Sequence, residues 1–231
     1  MTENGRIPSG LASASGEKTI GTLIENIRKT GKTQIITDKD SEIILEPVVG
    51  MYSVILFGGG HVSKFIADIA GKAGFAVNIV DDRIKYASRK RFPNADKVIC
   101  SDFRESFASL PINKKTFIVI VTRGHAYDEV VLEEAVRTDA GYIGMIGSRR
   151  KISKTYDNLL ERGINIGDLE KVYAPLGLDI GAQTAEEIAV SIIAELIQFR
   201  NRGDSQPVSH FNESMKSYFK RKNASISLIK E

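Results

Sequence analysis

The clearest chemistry in this sequence lies in three consecutive glycines, the histidine after them and a pair of aspartates farther along. The apolar run Val54-Ile55-Leu56-Phe57 leads straight into Gly58-Gly59-Gly60-His61-Val62-Ser63 and on into an apolar-periodic stretch. This is the G-x-G-x-x-G pattern with Ser63 in its last place. Glycines at Gly58, Gly59 and Gly60 let a backbone turn sharply and bring its N–H groups to a pyrophosphate, and a helix starting at His61 or Val62 adds positive potential. Asp81 closes the next apolar run, roughly twenty residues on, where a carboxylate accepts the hydroxyls of a ribose. A solvated turn carboxylate is the alternative for Asp81. Asp82 and Arg83 follow it. A carboxylate disfavours a ribose 2′-phosphate and an arginine accepts one, so NAD and NADP both stay open, with the acid tilting the choice towards NAD.

Other loops fall where the same fold would bring them to that turn. Thr122-Arg123-Gly124-His125 follows the fourth apolar run, with Asp128 three residues farther. In a doubly wound sheet the first and fourth strands are neighbours, so His61 and His125 are expected to line one crevice. His61, His125 and Asp128 are the candidates for proton transfer, and the same three are the candidate metal ligands, without a tight H-x-x-x-H spacing to support them. Helix capping by His61 and turn bonding by His125 and Asp128 is the competing reading. The fifth run ends in Gly147-Ser148-Arg149-Arg150-Lys151, where a hydroxyl and three cations suit an anion, or simply form a solvated helix surface. The glycine-rich loop Pro175-Leu176-Gly177-Leu178-Asp179 is expected to fold over the crevice, with Asp179 either bonding its backbone or touching ligand.

These loops need a scaffold, and the rest of the pattern supplies one. Short apolar runs at Ser53–Phe57, Ala76–Val80, Lys97–Cys100, Thr116–Val121, Tyr142–Ile146 and Lys171–Ala174 alternate with helical periodicity near 62–73, 128–138, 149–162 and 184–200. That alternation predicts an α/β fold, doubly wound, with a mainly parallel Rossmann-type sheet. Thr184 followed by Glu187 marks a capping box at the last helix. Ahead of this region, residues 1–50 read as a loose arm, a helix over Lys18–Lys29 and a hairpin from Gln34–Thr37 and Glu42–Val49. Residues 51–202 form the main domain and 203–231 a tail, in which His210–Phe219 has the pattern of a short docking helix.

The chain has 231 residues, a formal net charge of +3 from 32 basic and 29 acidic side chains, and a single cysteine, Cys100. So balanced a charge lacks the basic field of a nucleic-acid binder. One cysteine forms no internal disulfide, and no signal-like start or membrane-length apolar run is present, which points to a cytoplasmic protein with no membrane role. No G-x-S-x-G elbow, Walker loop or paired C-x-x-C is found, so the commoner hydrolase, ATPase and zinc-ribbon readings fall. Cys100, ending a strand, reads as a small buried hydrophobe.

Taken in order, FGGGHV, VDDR, RFPNAD, VTRGHAYD, YIGMIGSRRK and APLGLDIGAQTAEEIAVSIIAELI closely resemble the C-terminal Rossmann domain of the XdhC/CoxI family of xanthine dehydrogenase accessory factors. The resemblance covers about Tyr52 to Arg200. It implies a maturation factor, or chaperone, that supplies molybdenum cofactor to an apo-molybdenum hydroxylase without necessarily turning over a substrate. It also implies a homodimer, and a cleft around Gly58, Gly60, His61, Arg123, His125, Arg149 and Asp179. Full-length members carry a larger N-terminal domain with a GGCVE-like segment, and nothing like it precedes Met51; a separate partner chain supplying that domain is one expectation. Ala185 stands where the family often has proline, a change that matters little at a helix start. Two other functions remain open: an NAD(P)-dependent oxidoreductase using His61 or His125 as acid or base, and a non-catalytic regulatory or scaffold protein.

Overall fold

The computed structural model describes residues 17–30, 33–38, 41–46, 50–202 and 217–222. The arm before Glu17, the end of the second hairpin run at Val48 and Val49, and His210 lie outside them. The chain divides into two compact units, Met1–Gly50 and Met51–Glu231. The first contains α1 (Glu17–Thr30) and an antiparallel hairpin of β1 (Gln34–Asp38) and β2 (Ser41–Leu45), paired from Gln34↔Leu45 to Asp38↔Ser41. Along α1, Leu23 and Ile24 are half-buried and Ile27 is buried, the one-sided pattern of an amphipathic helix.

In the second unit, β3 (Ser53–Phe57), β4 (Ala76–Asp81), β5 (Lys97–Cys100), β6 (Thr116–Ile120) and β7 (Tyr142–Met145) form one parallel sheet in the order β5-β4-β3-β6-β7. Numbered from β3, that order is 3-2-1-4-5, the Rossmann arrangement, with the switch point between β3 and β6. Side chains alternate across the sheet, and both faces are buried. Val54 and Leu56 of β3, with Val77, Ile79 and Val119, pack under α2 (His61–Lys72) and α7 (Ala185–Arg202). Ile55 and Phe57, with Ile118 and Ile120, pack under α4 (His125–Ala135) and α5 (Arg149–Glu161). Burial on two sides explains why these strands read as continuous apolar runs in the sequence. The helical segment 217–222 joins the second face: Tyr218 and Phe219 pack on Tyr156, and Asp157 accepts from Tyr218 Oη at 2.8 Å and Lys222 Nζ at 2.7 Å.

Four elements depart from the sequence reading. The sixth strand shrinks to a single parallel bridge, Gly144↔Tyr173, because Pro175 brings no N–H to extend a ladder. The helix expected near 128 begins at His125, since Gly124 adopts extended backbone and releases the chain into the helix at once. Two short helices, α3 (Phe103–Ser106, followed by a 3₁₀ turn) and α6 (Ile166–Leu169), arise from side-chain caps. Asp102 accepts from the amides of Arg104 and Glu105, and Asn165 from that of Gly167. The capping box is present, with Glu187 N–H bonded to Thr184 Oγ1 at 3.2 Å and Thr184 N–H to Glu187 Oε2 at 3.1 Å.

Candidate functional site

At the carboxyl edge of the sheet, the glycine turn joins β3 to α2. Gly58 has φ +109°, and a Cβ there would lie 2.4 Å from the Val121 carbonyl oxygen, so only glycine lets β3 turn this close to β6. Ser63, buried in the helix, donates to the Gly58 carbonyl at 2.5 Å, so the hydroxyl ties the turn to the helix where the common pattern has a glycine. The amide of Gly58 donates to Val80 O and that of Gly59 to Asp81 Oδ2 at 2.8 Å, so these two donors are engaged with β4. Arg91 holds the turn from outside, donating through Nε to Gly59 O at 2.7 Å and through Nη2 to Gly60 O at 2.8 Å.

Asp81 occupies a different place from the one its spacing suggested. It is fully buried, and besides the Gly59 amide its carboxylate accepts from the Arg83 amide at 3.0 Å, Arg83 Nε at 2.9 Å and Arg83 Nη2 at 3.0 Å. It braces the glycine turn and presents no free acceptor to a ribose. Asp82 reaches across the switch point instead: Arg123, from the loop after β6, pairs with it through both terminal nitrogens and also donates to Tyr127 Oη. The hydrogen bond from Arg123 holds the Asp82 carboxyl below the usual carboxylate range.

Two adjoining hollows open over this edge. One, of about 240 Å³, is lined by Gly60, His61, Val62, Arg83, Thr122 and Arg123 among others. The second, of about 540 Å³, shares Gly60, His61, Arg83 and Arg123 and adds Lys85, Tyr86 and Arg91. Two helices begin beside them without a side-chain cap, α2 after Gly60 and α4 after Gly124. The first amides of a helix have no partner within it, and uncapped they carry positive potential towards the edge. The set of donors and cations suits a phosphate or carboxylate.

Other candidates lie apart from the hollows. His61 and His125 stand at the same edge, because β3 and β6 are parallel neighbours, but only His61 lines a hollow, with its ring edge-on to Phe65; His125 is exposed at the start of α4. Asp128 is fully buried rather than facing the crevice. It accepts from Thr122 Oγ1 at 2.6 Å and forms an ion pair with Lys151. Among the described residues no group of three or more His, Cys, Asp or Glu could hold a metal ion, so His61, His125 and Asp128 are not gathered as a ligand set. Ser148 caps α5, and Arg149 and Arg150 are exposed beyond the hollows' walls; Gly147 also lies outside them, partly covered by Lys151. The Pro175–Asp179 loop is fastened to β7 and α7, through Leu176 N–H to Met145 O and Ser191 Oγ to Leu178 O, so it does not cover the crevice; Asp179 is exposed. Cys100 is exposed rather than buried.

Arg91, Lys85 and Tyr86 are the residues the sequence reading missed. They come from an irregular segment with no period to follow, and the signals were its density of cations, Arg83, Lys85, Arg89, Lys90 and Arg91, and the RFPNAD motif that Arg91 opens.

The Asp128–Lys151 pair gives a pH-dependent prediction. Burial pushes the Asp128 carboxyl up, against the pull of Lys151 and Thr122. A carboxyl raised in the fold costs stability as pH rises through its folded value, and Lys151 limits that cost. Lys151→Met should therefore destabilise the fold by about 2–4 kcal/mol above the folded pKa, with the penalty shrinking as pH falls and the stranded acid takes up a proton. Urea unfolding over a series of pH values from 8 down to 4 measures this; a penalty that stays constant over the whole series would contradict it.

Parallel order, a glycine turn at the switch point and the uncapped start of α2 at a cationic hollow define a Rossmann-type protein. The sequence matches the XdhC Rossmann domain model over residues 54–196. The chain belongs to the XdhC family. It is 27% identical over 181 residues to a probable xanthine dehydrogenase subunit of Bacillus subtilis, a match covering 78% of this chain and 53% of that protein. An uncharacterized protein, YqeB, of Escherichia coli is 30% identical over 149 residues, 64% of this chain and 27% of its own length. Among solved structures, a xanthine dehydrogenase from Bacillus halodurans aligns with TM-score 0.60 and 29% identity, covering 77% of this chain and 48% of that one. The chain thus spans about a quarter to a half of these relatives. No helix among the described residues is long and apolar enough to cross a membrane.

Proposed function

We propose that this protein is an accessory factor for a molybdenum hydroxylase of the xanthine dehydrogenase type, and that it holds a phosphorylated nucleotide or molybdenum cofactor at the β3/β6 switch point for delivery to the apo-enzyme. The observation that carries this reading is the uncapped helix start at Gly60, in a wall that also contains Arg83 and Arg123, with the uncapped start of α4 following Arg123 in the chain. Because the amides of Gly58 and Gly59 are already engaged, the donors offered to an anion run from Gly60 into the first turn of α2. A phosphate fits there by charge and donor type. The wider set of ligand contacts extends to Val62 and Thr122, with Arg149 and Asp179 reaching only a larger guest. A homodimer, a hydroxylase partner and a second chain carrying the family's N-terminal domain complete this proposal.

The test is thermal unfolding of the full chain with NAD⁺, NADP⁺ or isolated molybdenum cofactor. A ligand at one hundred times its Kd stabilises by about 2.7 kcal/mol, which raises Tm by roughly 5–10 °C for a domain of this size. No shift with any of them would contradict the reading. An NAD(P)-dependent oxidoreductase is the second reading, favoured by His61 at the wall of the hollow. It predicts steady hydride transfer from NADH or NADPH to an acceptor, whereas a carrier of cofactor shows binding without turnover.

A further inference from the structure

We propose that the hollow beside the β4 loop is a subsite for a phosphate monoester, so that the protein prefers a ligand whose ribose or pterin arm carries a phosphate over one with a free hydroxyl. This rests on the nucleotide or cofactor site proposed above and specifies its ligand class.

In a dinucleotide site that takes an unmodified ribose, an acid at the end of the second strand accepts from the ribose hydroxyls. Here both acids at that position are already committed. Asp81 is fully buried, with both oxygens filled by the Gly59 amide and by Arg83, and Asp82 is bound by Arg123, with Arg83 Nε a further 3.7 Å away. A ribose diol arriving here finds Asp81 saturated and Asp82 held by a guanidinium, and the charge that would repel a phosphate is offset by Arg83 and Arg123.

What remains is cationic. The 540 Å³ hollow is lined by Arg83, Lys85, Arg91 and Arg123 and by no carboxylate. Arg83 and Arg123 are balanced by Asp81 and Asp82. Arg91 is different, because its two hydrogen bonds go to the neutral carbonyls of Gly59 and Gly60, which fix its guanidinium in place and leave its charge uncompensated. Lys85 is exposed on the same wall and is paired with no acidic side chain among the described residues. Two charges are thus left over, on residues that touch the same space. A phosphate monoester carries close to two negative charges at neutral pH. Tyr86 supplies a flat surface beside them, with the Arg83 guanidinium 3.7 Å from its ring centroid. Because Gly60 and His61 line this hollow as well as the smaller one, a ligand with one phosphate at the helix start can place a second, terminal phosphate between Lys85 and Arg91.

The experiment is calorimetric titration of the full chain with two matched pairs, NADP⁺ against NAD⁺ and 6-hydroxymethylpterin phosphate against 6-hydroxymethylpterin. The phosphorylated member of at least one pair is expected to bind about tenfold tighter or more, and the pair that shows it identifies whether ribose or pterin bears the phosphate. Lys85→Ala, at an exposed position outside the glycine turn, should lower the affinity for the phosphorylated member by about tenfold more than that for its unphosphorylated partner. Equal or weaker binding of both phosphorylated members, with NAD⁺ itself still bound, overturns this inference alone, and the site then stands. Failure of all four to bind, together with no thermal shift from molybdenum cofactor, overturns both.

Discussion

Replacing Gly60 by aspartate should abolish ligand binding and leave the protein folded, even slightly more stable. Gly60 is the N-cap of α2, with φ −67° and ψ −163°, a conformation open to any residue, and a Cβ added there meets nothing within 4 Å. Aspartate is among the preferred N-caps, because its carboxylate accepts from the free amides of the first turn and sits favourably in the helix field. The gain over glycine is small, about 0.5 kcal/mol. For the ligand the consequence is much larger. The carboxylate takes the donors a phosphate would use and puts a like charge beside it, so affinity should fall roughly 100-fold or more, equivalent to about 3 kcal/mol. Gly60→Asn, which caps without a charge, should lose less. Titration of NADP⁺ or molybdenum cofactor together with a urea melt checks both halves, and a Gly60→Asp variant that binds like the parent would refute the placement of the anion.

Two residues away the outcome reverses. Gly58→Ala is expected to destabilise the fold by about 3–5 kcal/mol, from a strained positive φ and from a methyl pressed on a carbonyl of the neighbouring strand connection. The added carbon would lie 2.4 Å from Val121 O and 2.8 Å from Val121 C, backbone atoms that cannot rotate away. A loss of that size is a large share of the stability of an ordinary domain. Gly60→Ala serves as the internal control, since it differs by two positions and should cost under about 1 kcal/mol. Equal midpoints for Gly58→Ala and Gly60→Ala in urea would show that β3 and β6 are not apposed in this way.

Four of the parallel strands, β3, β4, β6 and β7, were legible because they are buried on both faces, so continuous apolar runs such as Val54–Phe57 and Phe117–Ile120 stand out without any tertiary information, whereas the edge strand β5 is exposed at Lys97 and Cys100. The capping box at Thr184 and Glu187 was legible for a similar reason, since its partners lie three residues apart. What remained hidden depends on contacts between distant segments. Asp81 has the right spacing for a ribose ligand, and only the bond from Gly59, 22 residues away in sequence, shows that it braces the turn. Arg91 reaches the carbonyls of Gly59 and Gly60 from more than 30 residues on, out of an irregular segment. Asp128 looked like a crevice residue because it follows His125 closely, but one helical turn carries it into the core, where Lys151 meets it. The basic Arg149-Arg150-Lys151 run likewise divides, with the lysine turned inward and the arginines outward. Helix α6 escaped notice since a single Asn165 side chain defines it, with no apolar period long enough to read.

The most direct measurement is the map of backbone amide shifts in the ¹⁵N-labelled protein as NADP⁺ or isolated molybdenum cofactor is added. Signals from Gly60, His61, Val62 and Gly124 are expected to move together, with Lys85 and Arg91 following if a terminal phosphate is present. A further hollow, of about 700 Å³ and lined by Tyr52, Gly141, Tyr142 and Phe199 among others, includes the first residue of β7 and so opens towards the amino end of that strand. Shifts concentrated around Tyr52, Gly141 and Phe199, with Gly60 and His61 unmoved, would contradict a site at the glycine turn.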